Sequence, residues 1–312
     1  MKNFNGFTLA EVLITLAIIG VVAALTLPTL IQKINNREYD RAREKALMSI
    51  GEAGRLLAVQ GDIGAGTDAE DFIKNYLSKK LKIVKTCDSN NLEKCGLSPT
   101  IKKLDGTTTM NMPTTIAELG LPSISNSTWK NNTTNYGFVT ANGYSVNIFY
   151  NPQCTTDTNN DNLLASGYVC FNAIYDMNGL RNPNQVGKDI GFVTVLYPNE
   201  TNRAVAPNPV AVTDNFSMSW GEANVFCESN NLSSHYRKGI VNPKDKYTLP
   251  DKDELLSMAI NGNLINANPS GYYWSSSVYS ANSSYAWIQY FGSGTRLWYY
   301  ETYSASVRCV RR

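Results

Sequence analysis

One histidine in 312 residues is very little, and its scarcity removes most imidazole catalysis and most imidazole metal sites. Net charge is also nearly absent: 28 Lys and Arg against 26 Asp and Glu give +2, so no nucleic-acid or polyanion partner is implied. No charged residue occurs between Glu11 and Lys33, and no cysteine precedes Cys87. None of the six cysteines sits in a C-x-x-C arrangement, which speaks against a redox or zinc-knuckle motif. No catalytic role and no cofactor is expected from these residues.

What is present is uneven. The run from Val12 to Gln32 is almost entirely Val, Leu, Ile, Ala, Gly and Thr, long enough to span a bilayer as a helix. A secretory signal peptide is one explanation, with Val22-Ala23-Ala24 as its cleavage site, but the apolar core is too long and an acid stands at its start. Pro28 falls late in the run and should bend the helix. Beyond the span, Tyr39, Ala42, Ala46, Leu47, Ile50, Ala53 and Leu57 recur at helical spacing, predicting a helix that continues to about Gly61-Asp62 and packs on a sheet. Basic residues after the span (Lys33, Arg37, Arg41, Arg43, Lys45) outnumber Lys2 before it, which by the positive-inside rule favours a cytoplasmic C-terminal part. Six cysteines argue the opposite, for an oxidising compartment.

The segment Gly6-Phe7-Thr8-Leu9-Ala10-Glu11-Val12-Leu13 resembles the prepilin signature of type IV pilins and type II secretion pseudopilins. That resemblance implies cleavage by a prepilin peptidase between Gly6 and Phe7, N-methylation of Phe7, and retention of the apolar helix. Glu11 would then be the acid that pairs with the N-terminal amine of a neighbouring subunit. A lone carboxylate in hydrocarbon otherwise costs about 3 kcal/mol. Glu11 also suits the positive end of its own helix dipole. The localisation implied is the inner membrane before assembly, then a periplasmic or extracellular filament.

From 62 to 205 the chain is rich in Asn, Thr, Gly and Pro, with strand-like runs at Tyr136–Thr140, Tyr144–Tyr150 and Phe192–Leu196. This fits the antiparallel head of a pilin. Asp176, Asn178 and Asp189 offer oxygen ligands for calcium, but the Asn178-Gly179 turn needs no metal, and the turn is the preferred reading.

The last stretch, from about 206, carries Ser219-Trp220-Gly221-Glu222-Ala223, Leu249-Pro250-Asp251-Lys252-Asp253-Glu254-Leu255, Tyr273-Trp274-Ser275-Ser276-Ser277 and Val307-Arg308-Cys309-Val310-Arg311. This order is similar to the C-type lectin-like domains of bacterial surface proteins. These include the C-terminal domains of Legionella collagen-like proteins and the variable proteins of diversity-generating retroelements. The resemblance implies a Cys227–Cys309 bridge and makes Trp220, Trp274 and Trp287 core aromatics. Together with closeness in sequence, it gives Cys87–Cys95 and Cys154–Cys170 as the other pairs. The calcium-dependent sugar motifs of animal lectins are missing from this domain. Formylglycine-generating enzymes share a related fold, but their chemistry needs reactive cysteines.

Eight of the 18 tyrosines lie between 272 and 303, mixed with Ser, Asn and Gly, the composition of an adaptable binding surface. The candidate ligand contacts are Tyr279, Ser280, Asn282, Ser283, Ser284, Tyr285, Arg296, Trp298, Tyr299, Tyr300, Thr302 and Tyr303. The Tyr299–Ala305 mixture also looks like the product of adenine-directed mutagenesis in retroelement-diversified relatives.

The expected fold is therefore α+β: a long N-terminal transmembrane helix packed on an antiparallel sheet, followed by a C-type lectin-like domain. The expected boundaries are 1–6 for the leader, 7–61 for the helix (span 12–32), 62–205 for the head and 206–312 for the ligand-binding domain. Expected partners are other pilin-like subunits, the prepilin peptidase, the membrane, and an extracellular protein or cell surface. The expected function is a pilin-like subunit displaying a ligand-binding domain. The alternative is a secretion pseudopilin whose C-terminal domain contacts cargo.

Overall fold

A computed structural model describes residues 8–120, 134–152, 154, 169–197, 203–209, 217–228, 245–267 and 271–312. Two compact units divide the chain, Met1–Ala42 and Arg43–Arg312. Gly6 and Phe7, the expected cleavage site, lie outside the described residues.

Helix α1 covers Leu9–Val59 and runs unbroken through Pro28. Its first part, Leu9–Pro28, has a mean hydropathy of 2.4 and is the one helix among the described residues long and apolar enough to cross a membrane. At its start Glu11 Oε2 accepts the Thr8 N–H (3.0 Å) and the Thr8 hydroxyl (2.9 Å), while the Glu11 N–H donates to Thr8 Oγ1 (3.3 Å). Thr8 and Glu11 thus form a capping box that satisfies donors no helix can satisfy internally. At the other end the Asp62 N–H reaches Leu57 O (2.8 Å) and the Gly61 N–H reaches Ala58 O (3.1 Å). Gly61 takes a φ of +76°, which a side chain would resist, so the helix stops in a Schellman turn.

Strands β1 (Ile83–Cys87), β2 (Thr100–Lys102), β3 (Thr109–Asn111), β4 (Thr134–Thr140), β5 (Ser145–Tyr150), β6 (Val169–Asp176), β7 (Ile190–Leu196) and β8 (Arg203–Val205) follow, with short helices α2 (Ala69–Asp71) and α3 (Ile116–Leu119) among them. Strands β2 and β3 pair separately, and the rest form one antiparallel six-stranded sheet in the order β1-β4-β5-β6-β7-β8. The sequence reading missed β6, which like β5 is buried at every position.

Both faces of this sheet are covered, and the alternation of side chains says by what. On one face Ala46, Ile50, Ala53 and Leu57 of α1 are all at most 1% exposed. The helix sits close because it presents glycine: a Cβ on Gly51 would lie 2.7 Å from Ala204 Cβ, and one on Gly54 2.8 Å from Val195 Cγ1. On the other face Phe149, Ile174 and Phe192 join Leu255, Leu256, Ala259, Ile260 and Val310 in a single apolar cluster. Residues on either side of the expected boundary near 206 thus share one core.

At the centre of that core lies a closed polar network. The Asn172 and Asn261 side chains exchange hydrogen bonds (2.9 and 3.0 Å), Thr194 donates to Asn172 (2.7 Å), and the Thr194 and Ser257 hydroxyls meet at 2.6 Å. All four residues are fully buried. Such a network costs little when every member is satisfied and fixes one packing arrangement of sheet against helix.

The remaining elements are β9 (Ser217–Met218), helix α4 (Trp220–Glu228), β10 (Tyr247–Thr248), helix α5 (Lys252–Ile260), β11 (Tyr272–Val278), β12 (Tyr285–Tyr290), β13 (Arg296–Tyr300), β14 (Ala305–Ser306) and β15 (Val310–Arg311). A second sheet has five strands in the order β13-β12-β11-β14-β9. Apart from the parallel β11–β14 pair the sheets are antiparallel, and with the apolar N-terminal helix they make the mixed α and β architecture that the sequence pattern implies.

All six cysteines are bonded, as Cys87–Cys95, Cys154–Cys170 and Cys227–Cys309.

Candidate functional site

The short motifs of the last stretch turn out to be structural. Asp251 N-caps α5, accepting the Asp253 and Glu254 N–H groups (both 2.9 Å), and Glu254 Oε2 returns to the Asp251 N–H (2.9 Å). The Leu-Pro-Asp-Lys-Asp-Glu-Leu run is thus a capping box followed by a core helix. Arg312 clamps the same Glu254 through two bonds of 2.6 and 2.9 Å. Arg308, 1% exposed, donates to the Ile265 and Asn266 carbonyls (2.8 and 3.1 Å), and Cys309 ties the last strand to α4.

The three expected core tryptophans divide. Trp274 is fully buried and its Nε1 donates to Met218 O (2.9 Å). Trp220 is half-buried, with Nε1 on Ser275 O (2.9 Å). Trp287 is not a core residue: it is half-buried on the outer face of β12, while its neighbours Ala286 and Ile288 point inward. Alternation puts Trp287 on the face opposite Ala286 and Ile288, which is left partly open, whereas β11 is covered on both faces where Tyr273, Trp274 and Ser275 are all buried.

That outward position makes Trp287 part of an aromatic group. Trp287 lies opposite Trp298, and Tyr285 opposite Tyr300, in the β12–β13 register. Tyr279, from the turn after β11, stacks on Trp298 with centroids 5.0 Å apart and planes at 17°. It also meets Trp287 edge-on at 5.6 Å. Tyr285 meets Trp298 edge-on at 5.1 Å and Tyr300 at 4.1 Å. Hydrogen bonding with Tyr300, and then loss of hydration, raises the Tyr285 phenol above its usual value. Lys252 Nζ stands 5.6 Å from the Trp287 ring centre, a cation–π distance. Trp298, Tyr300, Tyr299 and Tyr303 are 46, 56, 43 and 40% exposed, so these rings hold one another in place while presenting area to solvent.

The other expected contacts distribute around this group. Ser280, Asn282, Ser283, Ser284 and Thr302 are exposed. Asn282 shapes the turn: its side-chain oxygen accepts the Ser284 N–H (3.0 Å) and its carbonyl accepts the Tyr285 N–H (3.1 Å). The Tyr279 N–H to Tyr285 O bond (2.8 Å) closes the loop. Tyr299 and Tyr303 pair at 4.4 Å on the opposite side of the strand from Trp298 and Tyr300.

Arg296 does not belong to this surface. It is 8% exposed, and its guanidinium donates to Lys252 O (2.7 Å) and lies 3.3 Å from Asp253. The start of α5 covers that end of the sheet and takes the charge for itself. Trp287, which the sequence suggests as a core residue, stands in its place, and only its register opposite Trp298 reveals it.

Asp176 and Asp189 are fully buried, and their oxygens are taken by backbone amides: Asn178 and Gly179 on Asp176 (3.0 and 2.9 Å), Asn184 and Gln185 on Asp189 (both 2.8 Å). Burial, reinforced by the Asp189 charge, pushes Asp176 up to about 7. Among the described residues no group of three or more His, Cys, Asp or Glu side chains converges. A shallow groove of about 640 Å³ runs along α4, lined by Ser217, Met218, Gly221, Glu222, Val225 and Phe226. Glu222 there is occupied by Ser219, which lowers its carboxyl.

Comparison with known proteins gives two matches. Residues 198–311 match the Lcl C-terminal domain, and residues 1–27 match the prokaryotic N-terminal methylation motif. No curated protein matches the chain. Both matching families are of a structural, surface type. With the apolar helix Leu9–Pro28, the N-terminal methylation motif makes the chain a prepilin peptidase substrate anchored in the membrane. The chain is thus a pilin-type surface protein that joins an N-terminal methylation motif to an Lcl C-terminal domain.

Proposed function

We propose that this protein is a pilin-type adhesive subunit whose aromatic surface, centred on Tyr279, Tyr285, Trp287, Trp298 and Tyr300, binds an extracellular ligand. The observation that carries this reading is the mutual packing of those five rings across β12, β13 and the turn after β11, with Trp298 and Tyr300 exposed. Such cross-strand ring pairs add only about 0.2–1 kcal/mol each to a sheet, and contiguous apolar area on a surface marks an interaction site. Tyr and Trp held by one another lose little freedom on binding, and the exposed Ser280, Asn282, Ser283, Ser284 and Thr302 rim adds hydrogen-bonding groups.

The C-type lectin-like description of the last domain belongs to this proposal, as does diversification of its 3′ end. Supporting the latter, Tyr299, Tyr300, Thr302, Tyr303 and Ser304 are all exposed, where substitution disturbs the core least. A near-copy of the 3′ end beside a reverse-transcriptase gene, differing chiefly at adenines, is the expected genomic context. A locus without either removes diversification from the reading.

The direct test replaces Tyr279, Trp298 and Tyr300 together by alanine in producing cells. Filament assembly should persist and attachment of the cells to surfaces should fall to background. Attachment equal to that of the parent would overturn the ligand-binding role.

A further inference from the structure

Strand β13 is the end strand of its sheet. The hydrogen bonds flanking it fix which of its residues look outward. The Tyr290 N–H donates to Thr295 O (2.8 Å), and the Glu301 N–H donates to Ser284 O (3.1 Å). Both bonds lie on the β12–β13 register, which has no shift. In an antiparallel ladder, bonded and non-bonded pairs alternate. Ile288–Leu297 and Ala286–Tyr299 are therefore the pairs that exchange bonds with β12. The backbone N–H and C=O of Trp298, and the N–H of Tyr300, point the other way, to the open edge. The Tyr300 carbonyl is engaged by the Tyr303 N–H (2.8 Å) in the turn that follows.

Natural sheets blunt such edges with lysine, proline, bulges or a covering element. Among the described residues none of these devices is present here. Leu297, Trp298, Tyr299 and Tyr300 carry no charge and no proline, the pairing has no bulge, and the four residues are 38–56% exposed. An edge kept flat, neutral and aromatic is suited to receive a strand.

We infer that β13 receives an extended, uncharged segment of a partner protein, which adds to the sheet beside Trp298 and Tyr300. The inference rests on the ligand-surface reading above and names its ligand class. Added main-chain hydrogen bonds would give affinity without regard to sequence, and side chains on the two faces would give selectivity. One row would meet Trp298 and Tyr300, the other Leu297 and Tyr299. The four edge residues Leu297–Tyr300 are themselves uncharged, which favours a neutral occupant beside them. A second copy of this chain fits less well. Antiparallel self-pairing centred on Trp298 would set each exposed Tyr300 against a buried Arg296 and forfeit that cross-strand contact.

The test uses the mature full-length chain in detergent micelles and a short fluorescein-labelled peptide of alternating threonine and valine. Two further peptides carry N-methyl groups on one or the other alternate set of residues. The parent peptide should bind, and one methylated form, the one whose N–H groups face β13, should bind at least about tenfold more weakly. Trp298→Pro removes the outward N–H while sparing the bonds to β12, whereas Trp298→Ala removes only the ring. Proline should weaken binding about tenfold beyond alanine. The N-methyl comparison needs no variant, so a misfolded proline chain does not blunt it. Equal binding of all three peptides, binding of none, or a dimer of this chain that Trp298→Pro dissolves would overturn the inference. If the strand peptides fail while the triple alanine variant still abolishes attachment, the ligand surface stands and only the docking strand falls. If that variant attaches normally as well, both fall.

Discussion

The two sheets of this protein treat their surfaces in opposite ways. In the six-stranded sheet, β5 and β6 are buried at every position, closed on one side by α1 and on the other by α5. In the five-stranded sheet, β13 is buried only at Arg296 and exposes four aromatic or apolar residues in a row. Both sheets are rich in large side chains, so composition does not separate them. What separates them is whether another element arrives to cover the second face. The first sheet spends its side chains on cohesion; the second leaves a group of rings that satisfy one another but not the core.

If that contrast is correct, changes to the covered parts should cost stability and changes to the open rings should not. Joint replacement of Cys227 and Cys309 by alanine, opening a closure of 82 residues in sequence, should have the largest effect, about 4 kcal/mol of unfolding free energy by denaturant titration. Asn172→Ala should follow at about 1–3 kcal/mol, because Asn261 and Thr194 would keep their buried polar groups without their partner. Gly54→Ala should cost about 1–3 kcal/mol, since the new methyl would come 2.8 Å from Val195 unless α1 lifts from the sheet. Tyr300→Ser should cost no more than about 1 kcal/mol, the scale of one exposed cross-strand aromatic pair, while still altering ligand binding. A loss of several kcal/mol there would mean that the aromatic face is structural, and the contrast would collapse.

A pH titration sharpens the same comparison. Asp176 sits in the covered sheet with its carboxyl raised to about 7. A carboxyl raised by folding contributes stability that is fully present below its unfolded value near 4 and is lost as pH rises through about 7. Asp176→Asn keeps an acceptor for the Asn178 and Gly179 amides but has no charge to lose. Thermal melts of this variant should therefore exceed those of the parent at pH 8 and converge with them near pH 4. Parallel curves at both pH values would refute the assignment.

Much of this architecture was legible because it depends on local rules. The apolar run beginning at Val12 can only be a helix in lipid, since no other single segment satisfies its own backbone there. The capping boxes at Thr8–Glu11 and Asp251–Glu254 follow from residue types three apart. The stripe Ala46, Ile50, Ala53, Leu57 reads as a buried face from its spacing alone. Strand β6 was not legible: nothing local marks Asn172 as a buried strand residue, because its partners Asn261 and Thr194 come from other elements. Nor was the fate of Arg296, whose burial depends on the start of α5, distant in sequence, arriving over it.

The amino-acid order by itself determined the membrane helix, its processing motif, and the local stops and starts of the helices, since each depends on neighbours within a turn or two. Only the tertiary structure decided which aromatic residues are core and which are surface. Trp274 and Trp287 occupy similar sequence surroundings, yet one is sealed and one is presented. The physical reason is that a strand has two faces of equal local merit, and only the arrival of a distant element makes one of them the inside.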